Sequence, residues 1–402
     1  MLTMGVIVAT TGLTSLAIVP VYLYSGIHNF TFLAIPFFIL AGELMNAGDI
    51  SKNIIDFCKC LLGHVKAGLG YAAILACMIF ACLSGVAIAT VSAIGGIMLP
   101  MLIKEGYDPA DSTAVVCAGS ITGPIIPPSV PMVVYGVISG VSVTKMFIAG
   151  IVPGLLSGLT VMGTWYFINR KKDYPVKKRA TGKEIFTSAK KAFPSLMMPV
   201  IMMGGMLSGI YTPTEAGVVA VVYAYIIARF VNKKMPFAVL KQSFVAAAKT
   251  SSVVLFIVAT TVALGTVVTV ARIPQTIAAA LSSVSSNPLV IMCLINVFIL
   301  VVGLFMDVVP ALSIMAPIFL PIAIKVGMDP LVFGMIMIFG LVIGLITPPV
   351  GSVLYVGCGI TKLPLLALLK RIYPMVLIYI AILFLLTFFP GLITFLPTLI
   401  MG

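Results

Sequence analysis

Two runs of this chain cannot be continuous helix, although the sequence around them is apolar enough for a bilayer. The first is Gly119-Ser120-Ile121-Thr122-Gly123-Pro124-Ile125-Ile126-Pro127-Pro128-Ser129. The second follows 221 residues later as Gly340-Leu341-Val342-Ile343-Gly344-Leu345-Ile346-Thr347-Pro348-Pro349-Val350. Proline has no N–H, clashes with the preceding turn and drives the residue before it out of the α region. Each Pro-Pro pair therefore leaves carbonyls without helical partners. Hydrocarbon tolerates such groups only where protein buries them or where they line a wet cavity. Two breaks in corresponding positions point to a transport site.

The surroundings are those of a membrane protein. Of 402 residues, 61% are hydrophobic and only 9% charged, with a mean hydropathy of +1.22; soluble domains carry about 25% charged residues. The start, Met1-Leu2-Thr3-Met4-Gly5-Val6, runs straight into an apolar helix without the basic region of a cleavable signal peptide. The net charge of +13 sits mostly in loops, as the positive-inside bias requires, and calls for no nucleic acid. Seven cysteines lie mainly in apolar segments and read as buried free thiols; Cys58-Lys59-Cys60 lacks zinc spacing. His28 and His64 are the only histidines. A histidine metal centre, a nucleophile elbow and a phosphate loop are all missing from the sequence, so it does not read as an enzyme.

Taking about 20 apolar residues per span, the chain offers spans near 3–24, 31–48, 146–168, 195–211, 214–231, 251–271 and 373–390, with broken spans at 110–140 and 330–360. Residues 50–62 are too short and polar to cross and suit an interfacial helix. Segments 67–103 and 288–325 are long, apolar and interrupted, at Leu83-Ser84-Gly85-Val86 and at Phe305-Met306-Asp307-Val308-Val309-Pro310.

Laying 97–130 over 318–351 without gaps gives 13 identities in 34 positions. The shared signature is Leu-Pro-x-x-Ile-Lys-x-Gly-x-Asp-Pro, then 17 residues, then Pro-Pro. Apolar composition would match Ile and Leu by chance, but not this set of Gly, Pro, Lys and Asp. Charge then sets orientation. Residues 50–66 carry Lys52, Lys59 and Lys66, whereas their counterparts 271–287 carry only Arg272. The bias reverses for 229–249 against 8–28, and 170–191 holds nine Lys or Arg. An amino terminus inside and two repeats inverted across the membrane satisfy all of this. The interrupted segments then fit as re-entrant hairpins, with two ordinary helical pairs as the alternative. The fold expected is an all-α polytopic membrane protein of two inverted repeats, each with a hairpin and a Pro-Pro-broken helix.

Several runs resemble one known family. Pro36-Phe37-Phe38-Ile39-Leu40-Ala41-Gly42-Glu43-Leu44-Met45, Gly123-Pro124-Ile125-Ile126-Pro127-Pro128, Phe147-Ile148-Ala149-Gly150-Ile151-Val152-Pro153-Gly154, Tyr211-Thr212-Pro213-Thr214-Glu215-Ala216-Gly217 and the 344–349 break look like the large membrane subunit of TRAP transporters, the DctM-like permeases. The resemblance covers nearly the whole chain. It implies sodium-driven uptake of a small carboxylate (a C4-dicarboxylate, sialic acid or another sugar acid) across the bacterial inner membrane. It also implies a periplasmic substrate-binding protein and a small four-helix membrane subunit as partners, and an elevator-type transport domain moving against a scaffold. On that basis 1–66 is scaffold and arm, 67–145 the first transport-domain half, and 146–286 scaffold with the basic loop 169–194 and the second arm. Residues 287–361 form the second transport-domain half and 362–402 the C-terminal scaffold. The segment before Phe30 is shorter than the family's usual start, which suggests a truncated amino terminus.

The family resemblance places a first sodium site where the tip at Ser84 and Gly85 meets Gly123, Ile126 and Pro128; a proline kink without an ion is the alternative. By the repeat, Met306 would join Gly344, Thr347 and Pro349 in a second site, so two or more Na+ ions are expected. Thr347 stands where the first repeat has Ile126, so the two sites should differ. Asp307, an acid in an apolar hairpin, reads as a functional residue or as a tip residue in water. It would accept hydrogen bonds from substrate hydroxyls or balance a cation. Arg272 suits a substrate carboxylate, with a snorkelling interfacial arginine as the competitor. Ser142 and Ser84 are further substrate candidates. Glu43 is open between a structural and a sodium-linked role, and Thr212-Pro213-Thr214-Glu215 reads as a capping box. Proton-coupled transport, which would load Asp307 and Glu43, is the second reading, and a channel the third.

Overall fold

A computed structural model describes residues 18–402 apart from 173, 175, 177 and 286. The described residues are helical, without a strand, and eight helices are long and apolar enough to cross a membrane. The chain is thus an all-α polytopic membrane protein. The span expected at 3–24 lies outside the described residues except for its end, in α1 (Ile18–Ile27). A 3-10 turn, Phe30–Leu33, leads into α2 (Ala34–Ala47), and the amphipathic α3 (Ile50–Leu62) follows. Next come α4 (Gly68–Ser84) and α5 (Ala87–Lys104), a hairpin folded at Gly85 and Val86. The first broken helix comprises α6 (Pro109–Ser120) and α7 (Val130–Ser139). Then follow α8 (Val143–Asn169), α9 (Gly182–Leu207), α10 (Pro213–Val231) and α11 (Phe237–Val270). The second series is α12 (Ile273–Val284), the hairpin α13 (Pro288–Phe305) and α14 (Val308–Lys325), and the broken helix α15 (Pro330–Gly344) and α16 (Ser352–Thr361). It closes with α17 (Leu365–Phe388) and α18 (Gly391–Met401).

The repeat signature has a local physical meaning. After Lys104 and Lys325 the chain turns on Gly106 and Gly327, at φ 86° and 84°, where a side chain would be strained. Asp108 and Asp329 then cap α6 and α15, accepting N–H bonds from Ala110 and Leu331 at 3.0 and 2.7 Å, with proline at the first helical position. Thr212 and Glu215 likewise form the expected capping box at α10. Helix α9 starts at Gly182, well ahead of 195, because Thr181 and Glu184 make a second such box in the polar loop. Helix α11 starts at Phe237 rather than near 251, since good helix formers such as Lys241, Gln242 and Ala246 carry it beyond its apolar stretch.

The two broken helices lie side by side and run in opposite directions. Thr113, early in α6, donates to Thr361 at the end of α16 (3.3 Å), while Tyr135, late in α7, donates to the Pro330 carbonyl at the start of α15 (2.7 Å). Each hairpin is shared between them: α4 lies on α6 and α5 on α16, while α13 lies on α15 and α14 on α7. Around this core, α2 packs on α10 and α11, α1 on α11, and α9 on α3 and α10.

Helices α8 and α17 pack on the broken helices. Trp165 of α8 fills a notch over Gly70 of α4 and its Nε1 donates to the Ala67 carbonyl at 3.0 Å. Tyr379 of α17 donates to the Ala118 carbonyl at 2.9 Å. Pro153 and Pro374, which extend the repeat register, sit in these two helices, so both are part of the repeated design.

One charged contact ties the ends of this core together. Asp111, in the first turn of α6, is 1% exposed. Lys172, just beyond α8, hydrogen-bonds its Oδ2, and Arg371 Nε of α17 lies 3.3 Å from its Oδ1. Burial opposes the Lys172 charge, but the hydrogen bond and charge of Asp111 outweigh it and hold the ammonium above its ordinary pKa. Lys172 therefore stays charged at neutral pH, and its contribution is lost only as pH rises through that elevated value. The cations are partly exposed and the carboxylate is not, which orders the expected costs. Replacing both Lys172 and Arg371 by Met leaves a buried, unpaired carboxylate and should cost about 3 kcal/mol or more. Asp111→Asn leaves two cations that water can reach and should cost less. Thermal unfolding in detergent measures both; equal losses would contradict the ordering.

Candidate functional site

Neither half of the first broken helix can cross a bilayer alone. The 12 residues of α6 and the 10 of α7 span about 18 and 15 Å at 1.5 Å per residue, against about 30 Å of hydrocarbon. The break thus falls near mid-depth. The carbonyls of Gly123, Pro124 and Pro127 lack their helical donor because Pro127, Pro128 and Pro131 carry no N–H. The whole stretch 121–130 is buried.

The tip of the first hairpin is seated in this break. Gly85 has φ 62°, and a Cβ on it would come 2.6 Å from the Pro128 carbonyl oxygen. A Cβ on Gly123 would come 3.1 Å from the Val86 carbonyl oxygen. Only glycine allows both approaches. Ser84 Oγ and Thr90 Oγ1 lie 3.0 Å apart, and Thr90 Oγ1 donates to the Val86 carbonyl at 3.0 Å. Ser129 Oγ satisfies Pro124 O at 2.6 Å. Among the described residues, no hydrogen bond reaches the carbonyls of Gly123, Ile126, Pro127 or Pro128. Two neighbouring helices close on this junction: Gly42 of α2 packs on Ser84, and Gly154 of α8 packs on Ile126.

The second junction is built differently. A Cβ on Gly344 would lie 2.1 Å from the Gly303 carbonyl oxygen, and Val350 N–H donates to Leu304 O at 3.1 Å. The break thus meets α13 about one turn before Met306, the tip residue expected to join Gly344, Thr347 and Pro349. Both carbonyls freed by Pro348 and Pro349 find protein donors: Gly344 O takes Thr347 N–H and Leu345 O takes Val353 N–H, each at 3.1 Å. Thr347 Oγ1 is bonded to Ile343 O at 2.7 Å. Thr347 and Pro348 are half-buried and Pro349 is exposed, so water reaches this junction.

The expected substrate residues are spread out. Asp307 is exposed at the tip of the second hairpin and caps α14, accepting from Val308 N–H at 2.7 Å. Arg272 is exposed, sits at φ 54° and precedes the first turn of α12. No ion pair or hydrogen bond joins it to Asp307. Ser142 is exposed and caps α8, accepting from Lys145 N–H at 3.4 Å. Glu43 is half-buried, next to the Gly42 contact. Sequence reasoning missed the Thr90 and Ser129 hydroxyls and the Pro127 carbonyl; Pro131, four residues after Pro127, was the available signal. Among the described residues no three His, Cys, Asp or Glu side chains gather into a metal-binding group. The oxygens that do gather, carbonyls and hydroxyls, suit a hard cation.

Residues 1–392 match the family described as the DctM component of tripartite ATP-independent periplasmic transporters. The 2,3-diketo-L-gulonate TRAP transporter large permease protein YiaN of Escherichia coli is 41% identical over 371 residues, 92% of this chain and 87% of that protein. The C4-dicarboxylate TRAP transporter large permease protein DctM of Pseudomonas aeruginosa is 40% identical over 375 residues, 93% of this chain and 88% of that protein. In fold, the chain is similar to the YdaH transporter of Alcanivorax borkumensis, with a TM-score of 0.66 and 14% identity over 94% of this chain and 89% of that one.

The glycine contact at the second junction is directly testable. Gly344→Ala forces a methyl into backbone and should cost about 2 kcal/mol or more. Gly96→Ala, on α5 with nothing within 4 Å, should be neutral or slightly stabilising, by up to about 1 kcal/mol. Thermal unfolding of the two variants in detergent checks the contrast; a neutral Gly344→Ala would contradict the close crossing.

Proposed function

This chain belongs to the DctM family of tripartite ATP-independent periplasmic transporters, and from that premise we propose that it is the large permease subunit of a sodium-coupled importer of a small carboxylate. A periplasmic binding protein delivers the substrate, and a small membrane subunit completes the transporter in the bacterial inner membrane, with this chain's amino terminus on the cytoplasmic side. The observation that carries the sodium reading is the first break: four buried carbonyls without protein donors, beside the Ser84 and Thr90 hydroxyls. Unwound carbonyls of this kind coordinate sodium in broken-helix transporters. They are costly when left bare in a dry interior, and a bound cation removes that cost without burying a full negative charge.

The second break is the weaker sodium site, because its freed carbonyls already have N–H partners and water reaches Thr347 and Pro348. Ser84 belongs to the oxygen cluster and Ser142 to a helix cap, so substrate recognition falls on Arg272 and Asp307. Arg272 offers a planar fork for a carboxylate, and Asp307 accepts bonds from substrate hydroxyls. Alternating access follows from an elevator step. The core of α4–α8 and α13–α17 moves against α1, α2 and α9–α11, with α3 and α12 as connecting arms.

Proton coupling would instead load Asp307 and Glu43, and the two readings part cleanly in proteoliposomes with all three components present. An inward sodium gradient without a pH gradient should drive uptake, and Ser84→Ala with Thr90→Ala should weaken its sodium dependence at least tenfold. Uptake that follows only a pH gradient would overturn sodium coupling. Arg272→Ala should abolish uptake at any sodium concentration. Loss in Asp307→Ala with full uptake in Arg272→Ala would overturn the role given to Arg272.

A further inference from the structure

The two broken helices do not stop at equivalent places. Helix α6 ends at Ser120, whereas α15 runs on to Gly344, three residues past Leu341, the counterpart of Ser120 at the repeat offset of 221. Side chains account for the early end. The Ser120 hydroxyl turns back on the Val116 carbonyl at 2.6 Å and the Thr122 hydroxyl on the Gly119 carbonyl at 2.7 Å. Their counterparts, Leu341 and Ile343, carry no hydroxyl. Hydroxyls that bond back onto a helix compete with its backbone ladder. The Thr122 N–H also goes to Gly119 O, at 3.3 Å, three residues back instead of four. The Ala118 carbonyl, which an unbroken helix would pair with that N–H, loses its helical donor in a dry interior.

Tyr379 of α17 takes this carbonyl. Its Oη donates to Ala118 O at 2.9 Å, and the residue is 1% exposed. The same ring packs on Phe339, the counterpart of Ala118 in α15, with centroids 6.0 Å apart. The phenol therefore stands between equivalent positions of both broken helices and gives its hydrogen to the one that has unwound. At the repeat-equivalent position in α8 stands Gly158, which offers no such donor. Beside the phenol lies Ser157 of α8. The Ser157 hydroxyl bonds Gly154 O at 2.7 Å, and Gly154 packs on Ile126. Tyr379 thus reaches the break at two points, through Ala118 where α6 stops and through Ser157 and Gly154 at Ile126.

We propose that Tyr379 is a positioning residue for the first junction. By holding the Ala118 carbonyl it keeps α6 from adding a further turn, so that residues 121–123 stay unwound and Gly123 stays against the Val86 tip. Without the phenol, a bare Ala118 carbonyl is costly, and the Thr122 N–H is its replacement donor; taking it rewinds α6 and draws Gly123 from the tip. The proposal rests on the sodium reading of this junction, and Tyr379 acts on sodium affinity through the backbone.

The test compares two buried tyrosines. Tyr379→Phe keeps the ring on Phe339 and removes one oxygen. Tyr135→Phe removes a like bond in the same core, from Tyr135 to the Pro330 carbonyl at 2.7 Å, at the start of α15. Uptake is measured in proteoliposomes with all three components, against sodium concentration and without a pH gradient, and the Tm of each chain is read in detergent. Tyr379→Phe should raise the sodium concentration for half-maximal uptake about fivefold or more, as the loss of one hydrogen bond implies, and leave uptake at saturating sodium nearly unchanged. Tyr135→Phe should lower the Tm as much as Tyr379→Phe does, with half-maximal sodium within about twofold of the unaltered chain. An unchanged sodium requirement in Tyr379→Phe overturns the proposal. So does an equal rise in both variants, or a Tyr379→Phe chain that unfolds before reconstitution, since either makes the bond one of stability alone. Uptake by the unaltered chain that ignores sodium overturns the sodium reading itself.

Discussion

Three missing N–H groups set the terms for this structure. Pro127, Pro128 and Pro131 deprive the carbonyls of Gly123, Pro124 and Pro127 of helical donors at mid-depth in a membrane protein, where water cannot replace them. The chain answers by placing a second break-like element, the Gly85–Val86 tip, against the first. It then closes the place with Gly42 of α2 and Gly154 of α8. Ser129 satisfies one carbonyl, and among the described residues those of Gly123 and Pro127 have no donor. The hairpins, the half-helices and the glycine notches all follow from the need to bury a broken backbone.

The same design appears twice and has diverged at the point that matters. Ser129, which turns its hydroxyl to a freed carbonyl, is Val350 in the second copy, whose N–H instead pins the break to Leu304. The second hairpin crosses its break one turn early, at Gly303. Its tip, Met306 and Asp307, lies about one turn beyond that crossing. One junction is dry and rich in unpaired acceptors; the other is wetter and self-satisfied. Symmetric sequence motifs hide this difference.

Much of this was legible in the sequence because the signals were local. The Pro-Pro breaks, the hairpin interruptions and the Thr212–Glu215 capping box are short-range, and each fell where its residues placed it. What was not legible depended on contacts between distant segments. Asp111 looks like an ordinary first-turn acid until Lys172 and Arg371 close over it. Helices α8 and α17 look like any apolar span, and only the structure shows Trp165 seated over Gly70 and Tyr379 bonded to the Ala118 carbonyl. The one-turn offset at the second hairpin depends on a glycine–glycine crossing that no periodicity announces.

The central claim is that the first junction is a sodium site assembled from the 84–90 tip and the 123–128 break. Amide hydrogen exchange of the purified chain in sodium against potassium, at equal ionic strength, tests it most directly. Sodium, and not potassium, should slow exchange across both segments, while leaving the corresponding tip near Met306 and the 344–350 break nearly unchanged. Identical protection in the two salts, or protection confined to the second junction, would contradict the account.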